Sequence, residues 1–93
     1  GMGVANALAA IRGGARVIDA SIGGTGGCPF ASGAAGNLAT EDFVYATGGG
    51  PDGGEGGALS LDLDRLVDTA HWLNRQLGRE RTSAIARTHR AAD

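Results

Sequence analysis

Residues 21–37 read Ser21-Ile22-Gly23-Gly24-Thr25-Gly26-Gly27-Cys28-Pro29-Phe30-Ala31-Ser32-Gly33-Ala34-Ala35-Gly36-Asn37. The sole cysteine, Cys28, stands at the apex of a glycine loop. The loop leaves a short β-branched run and ends on an asparagine that can open a helix. Glycine tolerates positive φ and has no Cβ, so backbone N–H groups can crowd around a ligand. A thiol held among such groups is favoured as thiolate and can move protons. This is the layout of an active-site loop, and a flexible surface loop could share its composition.

The rest of the chain is sparse in core material. It has 93 residues, enough for one small domain or part of a larger one. Eighteen of them are glycine, far above the usual ~7%, and aromatic residues make up only 4%. Both facts argue against a self-sufficient domain, because small chains bury little surface even when well packed. The formal charge of −2 gives no basic footprint, so no nucleic-acid partner is expected. All eight basic residues are arginine, read as codon bias. One cysteine excludes an internal disulfide framework and fits a reducing compartment. No apolar run approaches the ~18 residues of a membrane span, and no leader-like segment follows Gly1. The expected location is cytoplasmic, with no membrane partner.

Outward from the loop, Val4–Arg12 reads as a helix with Val4, Leu8 and Ile11 on one face, stopped by Gly13-Gly14. Ala15–Ile22 reads as a buried strand, with Val17-Ile18 as its apolar centre. Helix, tight turn and strand in this order suggest an α/β protein with parallel strands. Asn37 is placed to cap a helix over about 38–46, with Glu41 and Asp42 in its first turn facing the helix dipole. Residues 47–58 form a Gly-rich linker. Asp62 or Ser60 then caps a helix over about 63–77, whose stripe is Leu63, Leu66, Val67, Ala70, Leu73 and Leu77. Gly78 sits at its C′ position. Thr82 or Ser83 opens a weaker helix near 83–91. The resulting divisions are residues 1–46, the linker 47–58, and the C-terminal helices 59–93.

Two runs, Asp19 to Ala31 and Gly36-Asn37-Leu38-Ala39-Thr40-Glu41-Asp42, closely resemble the 3-hydroxy-3-methylglutaryl-CoA lyase family. The similarity extends back through Gly3–Leu8 and, more weakly, forward through Leu63–Gly78. Gly-Gly-Cys-Pro-Phe-Ala beside Gly-Asn-Leu-Ala-Thr-Glu-Asp is a specific pairing that a generic glycine loop would not reproduce. The resemblance implies a (β/α)₈ TIM barrel with chemistry at the C-terminal ends of its strands. This chain would be its last part (helix 7, strand 8, helix 8 and the appended helices), too short to close a barrel alone. It implies retro-Claisen cleavage of 3-hydroxy-3-methylglutaryl-CoA to acetyl-CoA and acetoacetate, assisted by Mg²⁺ or Mn²⁺. Cys28 matches the family's catalytic cysteine, Asn37 its metal ligand, and Glu41 an acidic residue near the site. Gly23, Gly24, Gly26 and Gly27 would let the loop close over the acyl group. The implied partners are an acyl-CoA, the remainder of the barrel and, in the intact enzyme, a possible second copy.

This sequence also departs from the family pattern. The family's His-x-His ligands, first-strand acid and neighbouring arginine are not in these 93 residues, leaving one of the four expected metal ligands. His71 and His89 match no ligand, and residues 48–57 are more glycine-rich than the family's connection. The tail ends Arg90-Ala91-Ala92-Asp93, without a peroxisomal tripeptide.

Each residue also has a plain structural reading. Cys28 would be a small buried thiol, Asn37 an N-cap, and Glu41 and Asp42 first-turn acids. Asp19 would orient strand-end backbone, His71 lie on a helix surface, and Trp72 pack beside Leu73. Arg75, Arg79 and Arg81 would compensate the helix dipole, with CoA phosphates as an alternative partner. Two other functions stay open. The isopropylmalate and citramalate synthases share the scaffold but carry Gly-Glu-Arg-Ala-Gly-Asn where this chain has Cys28-Pro29-Phe30. A fragment without activity of its own is the non-enzymatic reading.

Overall fold

A computed structural model describes residues 1–48, 61–79 and 82–88. The element order is α1 (Gly3–Arg12), a 3₁₀ turn (Ile22–Gly24), α2 (Thr40–Ala46), α3 (Leu63–Leu77) and α4 (Ala84–Thr88). Most of the linker 47–58, together with Ser60, Arg81, His89 and Arg90, lies outside the described residues.

α3 is the organising element, and its ends match the sequence expectation. The Asp62 side chain accepts the Arg65 N–H at 3.2 Å, satisfying a donor that the helix start leaves without an internal partner. Gly78 closes the helix in the left-handed conformation, φ 65°, which L side chains adopt only with strain. The buried face is Leu63, Val67, Ala70 and Asn74. Leu66 and Leu73 are half-buried, and Leu77 is 56% exposed. The seam therefore ends on Asn74 rather than Leu77. Trp72, expected to pack, is 53% exposed. Val44 of α2, Leu63 and Val67 of α3 and Ala86 of α4 form the core, with Leu66 and Ile85 against it.

The expected strand at Ala15–Ile22 is not formed. Residues 15–20 carry no regular structure, and Val17 is 82% exposed. Among the described residues a single parallel bridge forms, Ser21 to Ala39, through the Ser21 N–H to the Leu38 carbonyl and the Thr40 N–H to the Ser21 carbonyl, both 2.9 Å. A buried parallel strand takes its hydrogen bonds from neighbours on both sides. Among the described residues only 38–40 offer such groups, so the apolar run has no sheet to enter. α1 ends as expected. Ala15 N–H reaches back to the Ala10 carbonyl at 2.9 Å across Gly13-Gly14, and Gly14 takes the positive φ of 108°.

α2 begins two residues later than the spacing suggests, so Asn37 is not its cap. Ala39 holds the N-cap position with extended backbone and no side-chain bond. The bridge to Ser21 explains this: Leu38 and Ala39 are committed to pairing before the helix can start. α4 packs on α2 and α3. The Asp42 carboxylate accepts the Ile85 N–H at 2.8 Å and the Ala84 N–H at 3.3 Å, while Ser83 Oγ accepts the Ala86 N–H at 3.3 Å. Asp42 thus caps another helix besides sitting in the first turn of its own.

Candidate active site

The loop from Ser21 to Ala39 folds back on itself around Asn37. The Asn37 N–H donates to the Gly24 carbonyl at 3.0 Å. Its Nδ2 donates to the Thr25 carbonyl at 2.9 Å, which leaves the carboxamide oxygen as the group free to act. Ser21 Oγ donates to the same Thr25 carbonyl at 2.8 Å, and Thr25 Oγ1 donates to the Ile22 carbonyl at 2.9 Å. The 3₁₀ turn is thereby tied to both of its flanks.

Glycine is required here for close approach. A Cβ on Gly24 would lie 2.9 Å from the Asn37 carbonyl oxygen, and one on Gly26 would lie 2.8 Å from Asn37 Nδ2. Both residues have positive φ, 70° and 91°, a region that costs an L side chain roughly 1–2 kcal/mol before any clash. Gly23 and Gly24 are buried, whereas Gly26 and Gly27 are exposed. Gly24 and Gly26 therefore act first on the placement of Asn37, while Gly23 approaches Asn74 and Gly27 approaches Gly36.

Glu41 is fully buried at 0% exposure. Its two carboxyl oxygens both accept the Gly23 N–H, at 2.9 and 3.1 Å. On the other side of Gly23 stands Asn74, also buried, whose Oδ1 has no hydrogen-bond partner and lies 3.5 Å from where a Gly23 Cβ would be. Asn74 was legible only as an interruption of the stripe, at the spacing 67, 70, 74.

Cys28 is free and exposed, not a buried core thiol, and Phe30 beside it is 93% exposed. They stand on the outer arm of the loop, away from the cleft that Asn37 borders.

That cleft, of about 630 Å³, runs between the start of α1, residues 35–39, and the Arg79–Arg87 segment. Asn37, Asp42, Arg79, Thr82 and Arg87 are on its wall. Arg79 Nη1 and Thr82 Oγ1 are buried without hydrogen-bond partners. Unpaired buried donors are costly, and both belong to residues that line the cleft. Arg75 is exposed in the last turn of α3, and His71 is half-buried. Among the described residues no three His, Cys, Asp or Glu side chains gather in a metal-binding group. Asn37 could therefore contribute one hard oxygen to a divalent cation, with the other ligands coming from elsewhere.

The glycine-cradled asparagine and the exposed cysteine lie within residues 1–73, which match the HMGL-like family, and the chain belongs to it. Its relatives are hydroxymethylglutaryl-CoA lyases. The Gallus gallus mitochondrial enzyme is 42% identical over 86 residues, covering 92% of this chain and 27% of that protein. The Homo sapiens mitochondrial enzyme is 40% identical, covering 92% and 25%. A lyase from Acinetobacter baumannii, solved with coenzyme A and 3-methylmalate, is similar at a TM-score of 0.79 and 42% identity, over 100% of this chain and 29% of that one. The chain thus spans about a quarter of the length of the curated relatives it matches. It is a partial segment of the family's architecture. Both curated relatives are named mitochondrial, which overturns the cytoplasmic location expected from the single cysteine. Cysteine usage reports a reducing environment, and more than one compartment can supply that.

Proposed function

We propose that this chain is the terminal helix–strand–loop–helix of a (β/α)₈ barrel, residues 1–46, followed by the linker 47–58 and the appended helices 59–93. The whole protein cleaves 3-hydroxy-3-methylglutaryl-CoA to acetyl-CoA and acetoacetate. The cradle around Asn37 carries the reading. A loop with no room for a Cβ at Gly24, Gly26 or Gly36, closed on a carboxamide with its nitrogen engaged and its oxygen spare, suits a hard-cation ligand better than a solvated turn.

In this reading Asn37 would hold Mg²⁺ or Mn²⁺, which would polarise the substrate oxygens. A base on the remainder of the barrel takes the C3 hydroxyl proton. The C2–C3 bond breaks, its electron pair passes to the thioester α-carbon, and acetoacetate leaves as the ketone. Cys28 supplies the proton that turns the thioester carbanion into acetyl-CoA, while Glu41, buried in the first turn of α2, supports the loop from behind. An exposed cysteine on a glycine arm is suited to swing over the substrate when the loop closes. The partner is an acyl-CoA. The unpaired Arg79 Nη1 and the Arg87 side chain on the cleft wall support a seat for its phosphates, which planar guanidinium groups bind well.

The test is an exchange protein in which residues 1–93 replace the corresponding segment of the A. baumannii lyase. It should form acetoacetate from hydroxymethylglutaryl-CoA, whereas the isolated chain should not. Cys28→Ala in that protein should lower kcat by about 10²–10⁴-fold, the usual worth of a positioned proton donor. Its denaturation midpoint should stay unchanged, because Cys28 is exposed. Undiminished turnover would remove Cys28 from the chemistry.

A further inference from the structure

Glu41 is a buried titratable group on which the proton-transfer scheme makes no geometric demand. It is absent from the wall of the cleft and wholly shielded from solvent. Its carboxyl oxygens converge on one donor, the Gly23 N–H. Gly23 and Gly24 both have left-handed backbone, φ 65° and 70°. A turn of this kind buries an N–H that no regular ladder can satisfy, and leaving it unpaired would be costly.

We infer that Glu41 is the positioning residue of the Asn37 cradle. It fixes the Gly23 N–H, and this sets the direction of the Gly24 carbonyl one residue on. That carbonyl receives the Asn37 N–H at 3.0 Å, and the next carbonyl, of Thr25, receives Asn37 Nδ2 at 2.9 Å. Both anchors of Asn37, one from its backbone and one from its carboxamide, thus lie within two residues of the amide that Glu41 holds. Asn74 lies near Gly23 with an unbonded oxygen, so the side chain that pairs the Gly23 N–H is that of Glu41. The glutamate acts through the loop, without exchanging a proton with substrate.

The activity arm of the test rests on the lyase reading; the binding and exchange arms do not. In the exchange protein, Glu41→Gln keeps an acceptor for Gly23 and should lose no more than about tenfold in kcat, with both limbs of the pH profile retained. Glu41→Ala should lose about 100-fold, the cost of a roughly 1 Å misplacement, and should bind Mn²⁺ more weakly by electron paramagnetic resonance. Glu41→Asp keeps a carboxyl but withdraws it by one methylene. It should show faster hydrogen exchange at the Gly23 amide and weaker Mn²⁺ binding, and it decides the matter if Glu41→Ala does not fold. A Gln variant as inactive as Ala and missing a pH limb would overturn the inference. So would an Asp variant with native Gly23 exchange and native Mn²⁺ affinity. If the parent exchange protein binds Mn²⁺ yet cleaves no hydroxymethylglutaryl-CoA, the lyase reading fails, while the Mn²⁺ and amide arms still judge Glu41.

Discussion

The loop at 21–39 and the α2–α3–α4 cluster are held together by different physics. The cluster rests on apolar burial: Val44 and Val67 are at 0% exposure, with Leu63 and Ala86 beside them. Such a core tolerates other residues of similar volume. The loop has almost no side chains to bury. It is held by backbone hydrogen bonds and by Cβ atoms that are missing, with approaches of 2.8–2.9 Å around Asn37. The scaffold can therefore drift in sequence, while the loop accepts little besides glycine at its close contacts. Apolar burial is concentrated in the cluster, and the proposed function is placed in the loop.

Crossed substitutions in the exchange protein should separate the two. The larger effect belongs to Gly24→Ala. Its Cβ would meet the Asn37 carbonyl oxygen, a backbone atom with no room to yield. Turnover should fall by about 100-fold through displacement of the carboxamide, with little change in the cluster's unfolding by urea. A substantial loss of secondary structure would show instead that the loop also carries stability. The smaller effect belongs to Val67→Ala, which removes two buried methyl groups and should cost about 2 kcal/mol, read as a lower urea midpoint with turnover per folded molecule unchanged. A matching loss of turnover would mean that the core sets loop geometry directly.

This division also explains what could be read from the chain. α3 was legible to its ends because its signals are local: a stripe at helical spacing, Asp62 before it and Gly78 after it. Position 74 escaped because an asparagine at a seam position is buried only when a neighbour, here the Gly23 turn, presents backbone to it. The strand at 15–22 was read from composition alone, and β-branched residues form a strand only when partners supply the ladder. The family was legible from the glycine loop; the roles that likeness implies for Cys28, Asn37 and Glu41 are proposals. The fine placement was not legible. Asn37 faces back to Thr25 instead of capping α2, and Glu41 meets Gly23 across a separation of 18 residues. Asp42 meets Ile85 across 43. Contacts that long belong to the tertiary fold. The cleft with Arg79, Thr82 and Arg87 is of the same kind, drawn from four separate stretches of chain.

The central claim is that the loop exists to hold the Asn37 carboxamide oxygen for a divalent cation. Its most direct test is a Mn²⁺ titration, by electron paramagnetic resonance, of the exchange protein and its Asn37→Ala variant. Loss of a direct ligand should weaken binding by at least about tenfold, since even outer-sphere partners contribute that much, with the urea midpoint unaltered because Asn37 is exposed. Equal affinities in the two proteins would contradict the account.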